Sequence, residues 1–250
     1  MTRKDYCVFI LTHGRPDAVL TVRTLERCGY TGPVFIVIDD EDSTADRYRE
    51  LYGEQVLMFS KEDIARKFDQ GDNFKDRRTI VFARNACFEL AEQVGYKYFI
   101  QLDDDYTRFQ YRFNHLDMYI DRKTGIHSLD KIFTYLLDYY DSIPALSIAI
   151  GQGGDYIGGS QSTAVKSIRM RRKAMNSFIC STDRPFQFMG RINEDVNAYT
   201  SLARVGKLFL TTMQISLTQV QTQATAGGMT EVYLDSGTYL KSFYSVMFTP

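Results

Sequence analysis

Tyr98-Phe99-Ile100-Gln101-Leu102-Asp103-Asp104-Asp105-Tyr106 is the stretch on which the reading of the chain turns. Tyr98, Phe99, Ile100 and Leu102 favour an extended, buried strand. Aspartate is poor in strands, so the triplet Asp103–Asp105 is expected in the loop just beyond. In an open α/β sheet, ligands bind in the crevice past the carboxyl ends of the strands. Three adjacent carboxylates repel one another unless water or a cation screens them. A hard divalent ion suits them, because Mg²⁺ takes one or two protein carboxylates and completes its shell with water and substrate phosphates. An acidic triplet alone is more often a solvated turn, and the elements in front of it reverse that reading here.

Immediately upstream, Thr79 to Val94 is the clearest helix in the sequence. Ile80, Ala83, Cys87, Leu90, Ala91 and Val94 fall on one stripe, and Gly95 ends it. Arg84 and Asn85 lie in its first half, on or beside that stripe. A charge there is usually part of a solvated face, but arginine beside carboxylates and phosphates has an evident use.

Further back, Tyr6 to Thr12 reads as a first buried strand, broken by His13-Gly14-Arg15-Pro16. Asp17 is placed to cap a helix carrying Ala18, Val19, Val22, Leu25 and Cys28 and ending at Gly29. Val34 to Ile38 is a second strand, stopping at Asp39-Asp40-Glu41-Asp42. Strand, helix, strand is a βαβ unit, and its handedness makes the strands parallel. The His13–Arg15 turn and the Asp39–Asp42 cluster then open on one edge. A helix (Ala45 to Tyr52), a strand (Gln55 to Phe59) and a helix (Lys61 to Phe68) continue the alternation. Residues 69 to 78 read as a polar loop, mobile unless a ligand holds it.

After Asp105 the character changes. Tyr106 to Tyr119 mixes aromatics with Arg108, Arg112 and His115, in strand or irregular structure. Leu129 to Tyr140 is an amphipathic helix and Ala145 to Ile150 a buried strand, followed by a glycine-rich stretch. The densest basic cluster is Arg169, Arg171, Arg172 and Lys173. Glu194 and Asp195 open a helix that runs to Gly206, and Leu208 to Gln214 is a further strand. Gln219 to Gly228 is polar and low in complexity, a segment expected to order only on binding.

The whole chain narrows the class. With 250 residues it can bury a sizeable core, and 44% hydrophobic with 24% charged residues is ordinary for a globular protein. A net charge of −1 excludes a global basic field but not local patches. Four scattered cysteines without a CxxC pair fit neither a zinc site nor a disulfide framework, and suit a reducing cytoplasm. No signal-peptide layout and no apolar run near the ~20 residues of a membrane span are present, so a cytoplasmic protein is expected.

Three acidic stations therefore stand in order: Asp39–Asp42, Asp103–Asp105 and Glu194–Asp195. A nucleotide-sugar site needs such parts. The first can hold nucleobase or ribose hydroxyls. The second can hold a divalent ion against a diphosphate, and the third can supply a general base. Each also has a purely structural reading, as helix-capping acids or as acids complementing a helix dipole.

Ile-Leu-Thr-His-Gly-Arg-Pro, Ile-Asp-Asp, Ala83-Arg84-Asn85, Leu102-Asp103-Asp104-Asp105 and the later Glu194-Asp195 together resemble the GT-A-fold glycosyltransferases over about residues 6 to 205. Within that superfamily the chain is similar to the phage TET/JBP-associated glycosyltransferases, which decorate hydroxymethylated pyrimidines in DNA. The resemblance implies an α/β GT-A (Rossmann-like) fold with a mixed, mainly parallel sheet flanked by helices. It implies one domain, with residues 1–105 as the nucleotide-sugar half and 106–250 as the acceptor half. By position, Thr12, His13 and Arg15 would line the nucleotide pocket, and Asp39 and Asp40 would meet uracil or ribose. Arg84 and Asn85 would face the diphosphate and sugar, Asp103 would touch ribose or sugar hydroxyls, and Asp104 would belong to the same nucleotide-sugar site. Asp105, with Asp103, would bind Mn²⁺ or Mg²⁺. Asp195 would be the base of an inverting displacement, with Glu194 as its understudy. Many relatives bring a late histidine to the metal, but no histidine follows His127 here.

A DNA acceptor needs a basic surface, which Arg169, Arg171, Arg172 and Lys173 would supply, extended by Lys75, Arg77, Arg78 and Arg108. Phosphate contacts of this kind set affinity, not sequence preference. A duplex base must be extruded to be reached, and Tyr106, Phe186 or Phe188 could stack on it. The expected reaction is transfer from a UDP-sugar, UDP-glucose first, to a hydroxymethylpyrimidine such as 5-hydroxymethylcytosine, in the cytoplasm of an infected cell if the gene is a phage's. A protein or glycan acceptor, and a non-catalytic nucleic-acid-binding module, are the alternatives. A sugar-phosphate pyrophosphorylase would need a richer glycine loop after the first strand, and the dinucleotide and Walker fingerprints are absent.

Overall fold

The computed structural model describes residues 2–75, 77–162, 170–220, 234, 237 and 239–249. Its first half is built by alternation of period two. Strand β1 (Tyr6–Leu11) is buried along its whole length. Val8 and Ile10 point to one face, and Cys7, Phe9 and Leu11 to the other. β1 runs parallel to β2 (Val34–Asp39) on one side and to β4 (Tyr98–Asp103) on the other, and β2 is parallel to β3 (Val56–Phe59). Leu11 stands level with both Val37 and Asp103, so the polar ends of β1, β2 and β4 come out together.

Helices cover both faces. On the Val8 face lie α1 (Leu20–Arg27), α2 (Ala45–Tyr52) and α5 (Leu129–Ser142), contributing Leu25, Tyr48, Phe133 and Leu137. On the Phe9 face lie α3 (Lys61–Ala65), α4 (Val81–Gln93) and α6 (Glu194–Arg204), contributing Ile64, Phe82, Cys87, Leu90 and Ala198. Full burial of a side chain such as Phe82 contributes about 1.5–3 kcal/mol.

The second half joins the first through one short strand. β9 (Phe178–Ser181) lies antiparallel between β4 and β7 (Ala145–Gly151). Next comes β10 (Leu208–Gln219), parallel to β7, then the hairpin β5 (Tyr106–Phe113) and β6 (Tyr119–Gly125). The order is β3-β2-β1-β4-β9-β7-β10-β5-β6, with the two-residue β8 (Met170–Arg171) also on β10. The sheet is mixed, parallel through β3-β2-β1-β4 and largely antiparallel beyond. A final helix, α7 (Leu240–Phe248), lies against α6.

Several expected boundaries move. Asp17 caps no helix: Pro16–Ala18 is a single 3-10 turn, α1 begins at Leu20, and Asp17 instead accepts from Arg47 at 2.8 Å. The chain must curl at Arg15 because its N–H donates to the Tyr48 hydroxyl, 2.9 Å away. α3 stops at Ala65, and Phe68 turns in to pack edge-on against Phe82. The first four residues of the polar loop expected to be mobile, 69–72, are tied down. Gly190 N–H donates to Asp69 O, Arg191 N–H to Gln70 O, and the Arg191 guanidinium grips Asp72.

Candidate active site

The three acidic stations meet at one end of the sheet. At the first, Asp39 is 4% exposed and lies between two cations. His13 Nδ1 is 2.8 Å from its Oδ2, and Lys61 Nζ is 3.0 Å from its Oδ1. Burial alone would raise the Asp39 pKa, but His13 and Lys61 together hold it below the usual carboxylate value. The same hydrogen bond raises the pKa of His13. Asp40 is exposed and accepts the Lys61 N–H at 2.9 Å, while Asp42 accepts the Gly14 N–H at 2.8 Å. The acidic run therefore organises the His13–Arg15 turn.

The second station is joined to that turn. Thr12 Oγ1 donates to Asp104 Oδ2 at 2.6 Å, and Arg15 reaches Asp104 Oδ1 at 3.1 Å. Both Asp104 oxygens are thereby occupied. Burial raises its pKa, with Arg15 opposing. Asp103 gives one oxygen to Arg84 at 3.0 Å, and burial lifts its carboxyl to about 6 against the pull of Arg84. Asp105 differs from both. Its Oδ1 is buried with no hydrogen-bond partner, and burial followed by repulsion from Asp103 and Asp104 lifts it to about 7. A carboxylate oxygen without a donor, beside like charges, is the chemistry a divalent cation satisfies. The Asp105 carboxylate fits such an ion. Among the described residues no cluster of three or more His, Cys, Asp or Glu could hold a metal by itself, so diphosphate oxygens and water would complete the shell.

Arg84 joins the second station to the third. It is 2% exposed and donates from Nε to Glu194 Oε1 at 3.0 Å as well as to Asp103. Its guanidinium lies 4.9 Å from the Phe178 ring, and NH1 is buried without a partner. Burial works against its charge, yet Asp103 and Glu194 raise its pKa further. Asp195, one residue on, is 7% exposed; its Oδ1 accepts the Val196 N–H at 2.7 Å. Burial, reinforced by Glu194, pushes its carboxyl up to about 7. A carboxylate with that proton affinity is suited to accept a proton near neutral pH.

Other candidates fall elsewhere. The Asn85 amide is taken up by the Phe188 backbone, donating to its O at 3.0 Å and accepting its N–H at 2.9 Å, so Asn85 fixes a loop. Tyr106, Phe186 and Phe188, expected as stacking surfaces, are 0%, 8% and 0% exposed and belong to the core; Phe186 and Phe188 pack against each other and against Phe88, Phe178 and Phe209. Arg169 lies outside the described residues. Arg172 is exposed, whereas Arg171 and Lys173 line a cleft of about 310 Å³ with Gly154, Asp155, Ile157 and Ser162. Lys173 is ion-paired to Asp155 there.

Sequence reading missed Thr21, Tyr48 and Lys61. Thr21 Oγ1 donates to Asp103 O at 2.6 Å and accepts the Tyr106 N–H at 2.9 Å, pinning the acidic loop to α1. Tyr48 holds Thr12 and the Arg15 N–H. A buried hydroxyl inside a helix carries no pattern that distinguishes it from a core residue.

A βαβ half ending in carboxylates, an antiparallel strand beside the acidic strand, and a buried acid pair on a later helix make up a fold of the GT-A type. The chain belongs to the TET-associated glycosyltransferase family, whose model matches residues 6–228. It is an enzyme, which removes the non-catalytic binding-module reading. No curated protein matches the chain. Among solved structures it is similar to glucosyl-3-phosphoglycerate synthase from Mycobacterium tuberculosis. In the complex with Mn²⁺, UDP and phosphoglyceric acid the TM-score is 0.50 at 9% identity, covering 98% of this chain and 78% of that one. The same enzyme with Mn²⁺, UDP-glucose and phosphoglyceric acid gives 0.48 at 7% identity over 98% and 79%. At these identities the likeness is one of fold.

Proposed function

We propose that this glycosyltransferase moves a sugar, glucose first among candidates, from a UDP-sugar to the hydroxymethyl group of a modified pyrimidine in DNA, with inversion at the anomeric carbon. The observation that carries the reading is the Arg84 bridge, which brings the donor-side carboxylate Asp103 and the acid pair Glu194–Asp195 to one buried point. Residues 1–105 serve the donor, and 106–250 the acceptor. His13, Asp39 and the backbone around Arg15 line the nucleotide end. Asp105 and Asp103 would hold Mn²⁺ or Mg²⁺, which when bound would supply positive charge against the diphosphate. Family membership, and the Mn²⁺ and UDP bound by the structural neighbour, support this donor chemistry.

Asp195 accepts the proton of the acceptor hydroxyl as its oxygen bonds to the anomeric carbon and the bond to the diphosphate breaks. Glu194, already engaged by Arg84, keeps Asp195 proton-seeking by its negative charge. Arg171, Arg172 and Lys173 contact the acceptor's phosphates. The reaction takes place in the cytoplasm, that of an infected cell for a phage gene.

The test is UDP release with Mn²⁺ or Mg²⁺ and a panel of UDP-sugars, on hydroxymethylated and plain duplex DNA. Turnover that needs hydroxymethylated DNA and vanishes in Asp105→Ala and Asp195→Asn is expected. Slow hydrolysis of the UDP-sugar, indifferent to DNA, would move the acceptor to a protein or glycan.

A further inference from the structure

The family match ends at residue 228, and α7 lies beyond it. Besides α6 and the 69–72 loop, α7 touches the segment Gly190–Asn193, which delivers Glu194 and Asp195. Asn197 of α6 and the 69–72 loop hold its backbone, and three of its features call for more than backbone support. Asn193, the residue before α6, is left-handed at φ 60° and ψ 35°, a conformation uncommon outside glycine that asparagine adopts more readily than other side-chain-bearing residues. Arg191 is 5% exposed and needs its charge answered. Gly190 has φ 79°, and a Cβ there would sit 2.5 Å from Asn197 Nδ2 and 2.7 Å from Phe248.

α7 and the 69–72 loop answer them together. Asn193 Nδ2 donates to Ser245 Oγ at 2.6 Å. Tyr244 donates to Asp72, whose carboxylate also accepts Arg191 Nε at 2.9 Å, and Arg191 NH2 lies 3.3 Å from the Tyr244 hydroxyl. Phe248 packs over Gly71 and Gly190. Loop 69–72, segment 190–193 and α7 thus form one closed clasp around the start of the helix that bears the acid pair. Meanwhile Phe243 on the outer side of α7 is 61% exposed and takes no part.

We infer that α7 is a brace for the general base: Tyr244, Ser245 and Asp72 are positioning residues that fix where Asp195 stands, and they influence turnover without touching substrate. The inference rests on Asp195 being the base. Small displacements of a positioned group reduce rate far more than they reduce binding.

The experiment measures kcat and the donor KM, with thermal unfolding alongside, in full-length Tyr244→Phe, Ser245→Ala and Ser245→Ala/Asn193→Gly, with Phe243→Ser as an outer-face control and Asp195→Asn as a reference. A fall in kcat of about tenfold in the first two, donor KM unchanged, is expected. Glycine adopts the left-handed conformation freely, so Asn193→Gly should restore turnover to Ser245→Ala. Unchanged kcat in both single variants would overturn the brace, as would a loss that merely follows the folded fraction or that Asn193→Gly does not repair. Full activity in Asp195→Asn would overturn the base assignment instead, and the brace with it.

Discussion

Arg84 Nε lies 3.0 Å from Glu194 Oε1, a contact between residues 110 apart in sequence that is buried from solvent. With Asp103 on its other side, the guanidinium neutralises charge contributed by two halves of the molecule. Arg84→Met would strand both carboxylates in the interior. Removing one partner from a buried ion pair costs about 3–5 kcal/mol, so urea unfolding should show a loss of that order. Arg84→Lys, which keeps charge but not the forked geometry, should fall between. A Met variant as stable as the wild type would refute the bridge.

Asp195 supplies a pH prediction. Its carboxyl is raised to about 7 by burial and by Glu194, and a base acts only when ionised. Turnover at saturating substrate should therefore climb with pH through about 7 and level off above it. Glu194→Gln removes the neighbouring negative charge and should move that limb to lower pH. A profile flat from pH 6 to 8 would remove Asp195 from the role.

His13 and Asp39 give a stability signature of opposite slope on its two sides. The His13 pKa is raised from 6.5, so its contribution is complete below 6.5 and is lost as pH rises through the folded value. The Asp39 pKa is lowered from 3.8, so its contribution is present above 3.8 and is lost as pH falls through the folded value. His13→Gln should thus be more destabilising at pH 5.5 than at pH 8.5. The side chain of His13 is 48% exposed, so the difference is small and calls for paired denaturation curves.

Asp105 should trade stability against function. Its Oδ1 has no donor and its neighbours are like-charged, so Asp105→Asn relieves repulsion. Without divalent ions the variant should unfold at or above the wild-type temperature, yet release no UDP. Mn²⁺ should raise the melting temperature of the wild type and leave the variant unmoved. Equal stabilisation of both by Mn²⁺ would place the ion elsewhere.

Thr21→Val keeps shape and removes a hydroxyl serving two backbone groups, Asp103 O and Tyr106 N–H. Stranding buried polar groups costs about 1–3 kcal/mol. The donor KM should rise as the acidic loop loosens, and an unchanged KM would show that the loop holds without it.

The parts legible in the sequence are those with a short local pattern. Continuous apolar runs around Phe9 and Phe99 reveal strands buried on both faces, the Ile80–Val94 stripe reveals α4, and clustered acids reveal the loop ends. The Asp103–Asp105 and Glu194–Asp195 stations could be named because their residues are adjacent in the chain. Illegible was anything fixed by a partner far away. Arg84 reads as a phosphate ligand until Glu194 takes its Nε, and Asn85 as a sugar ligand until Phe188 takes its amide. Phe186 and Phe188 read as open platforms because nothing local tells a core aromatic from an exposed one. The 69–72 loop reads as mobile because its anchors, Arg191 and Tyr244, lie over a hundred residues on.

β9 carries a cost during synthesis. The strands β1 to β4 leave the ribosome as a contiguous unit, but the strand that covers the open side of β4 is residues 178–181. Until it arrives, Tyr98–Gln101 present a row of unpaired backbone N–H and C=O groups on a largely apolar strand, a template for another nascent chain. The step most exposed to aggregation is thus the wait between β4 and β9. Slowing translation there, or substitutions that weaken Phe178 or Ile179, should lower the yield of soluble enzyme more than they lower the stability of what has folded.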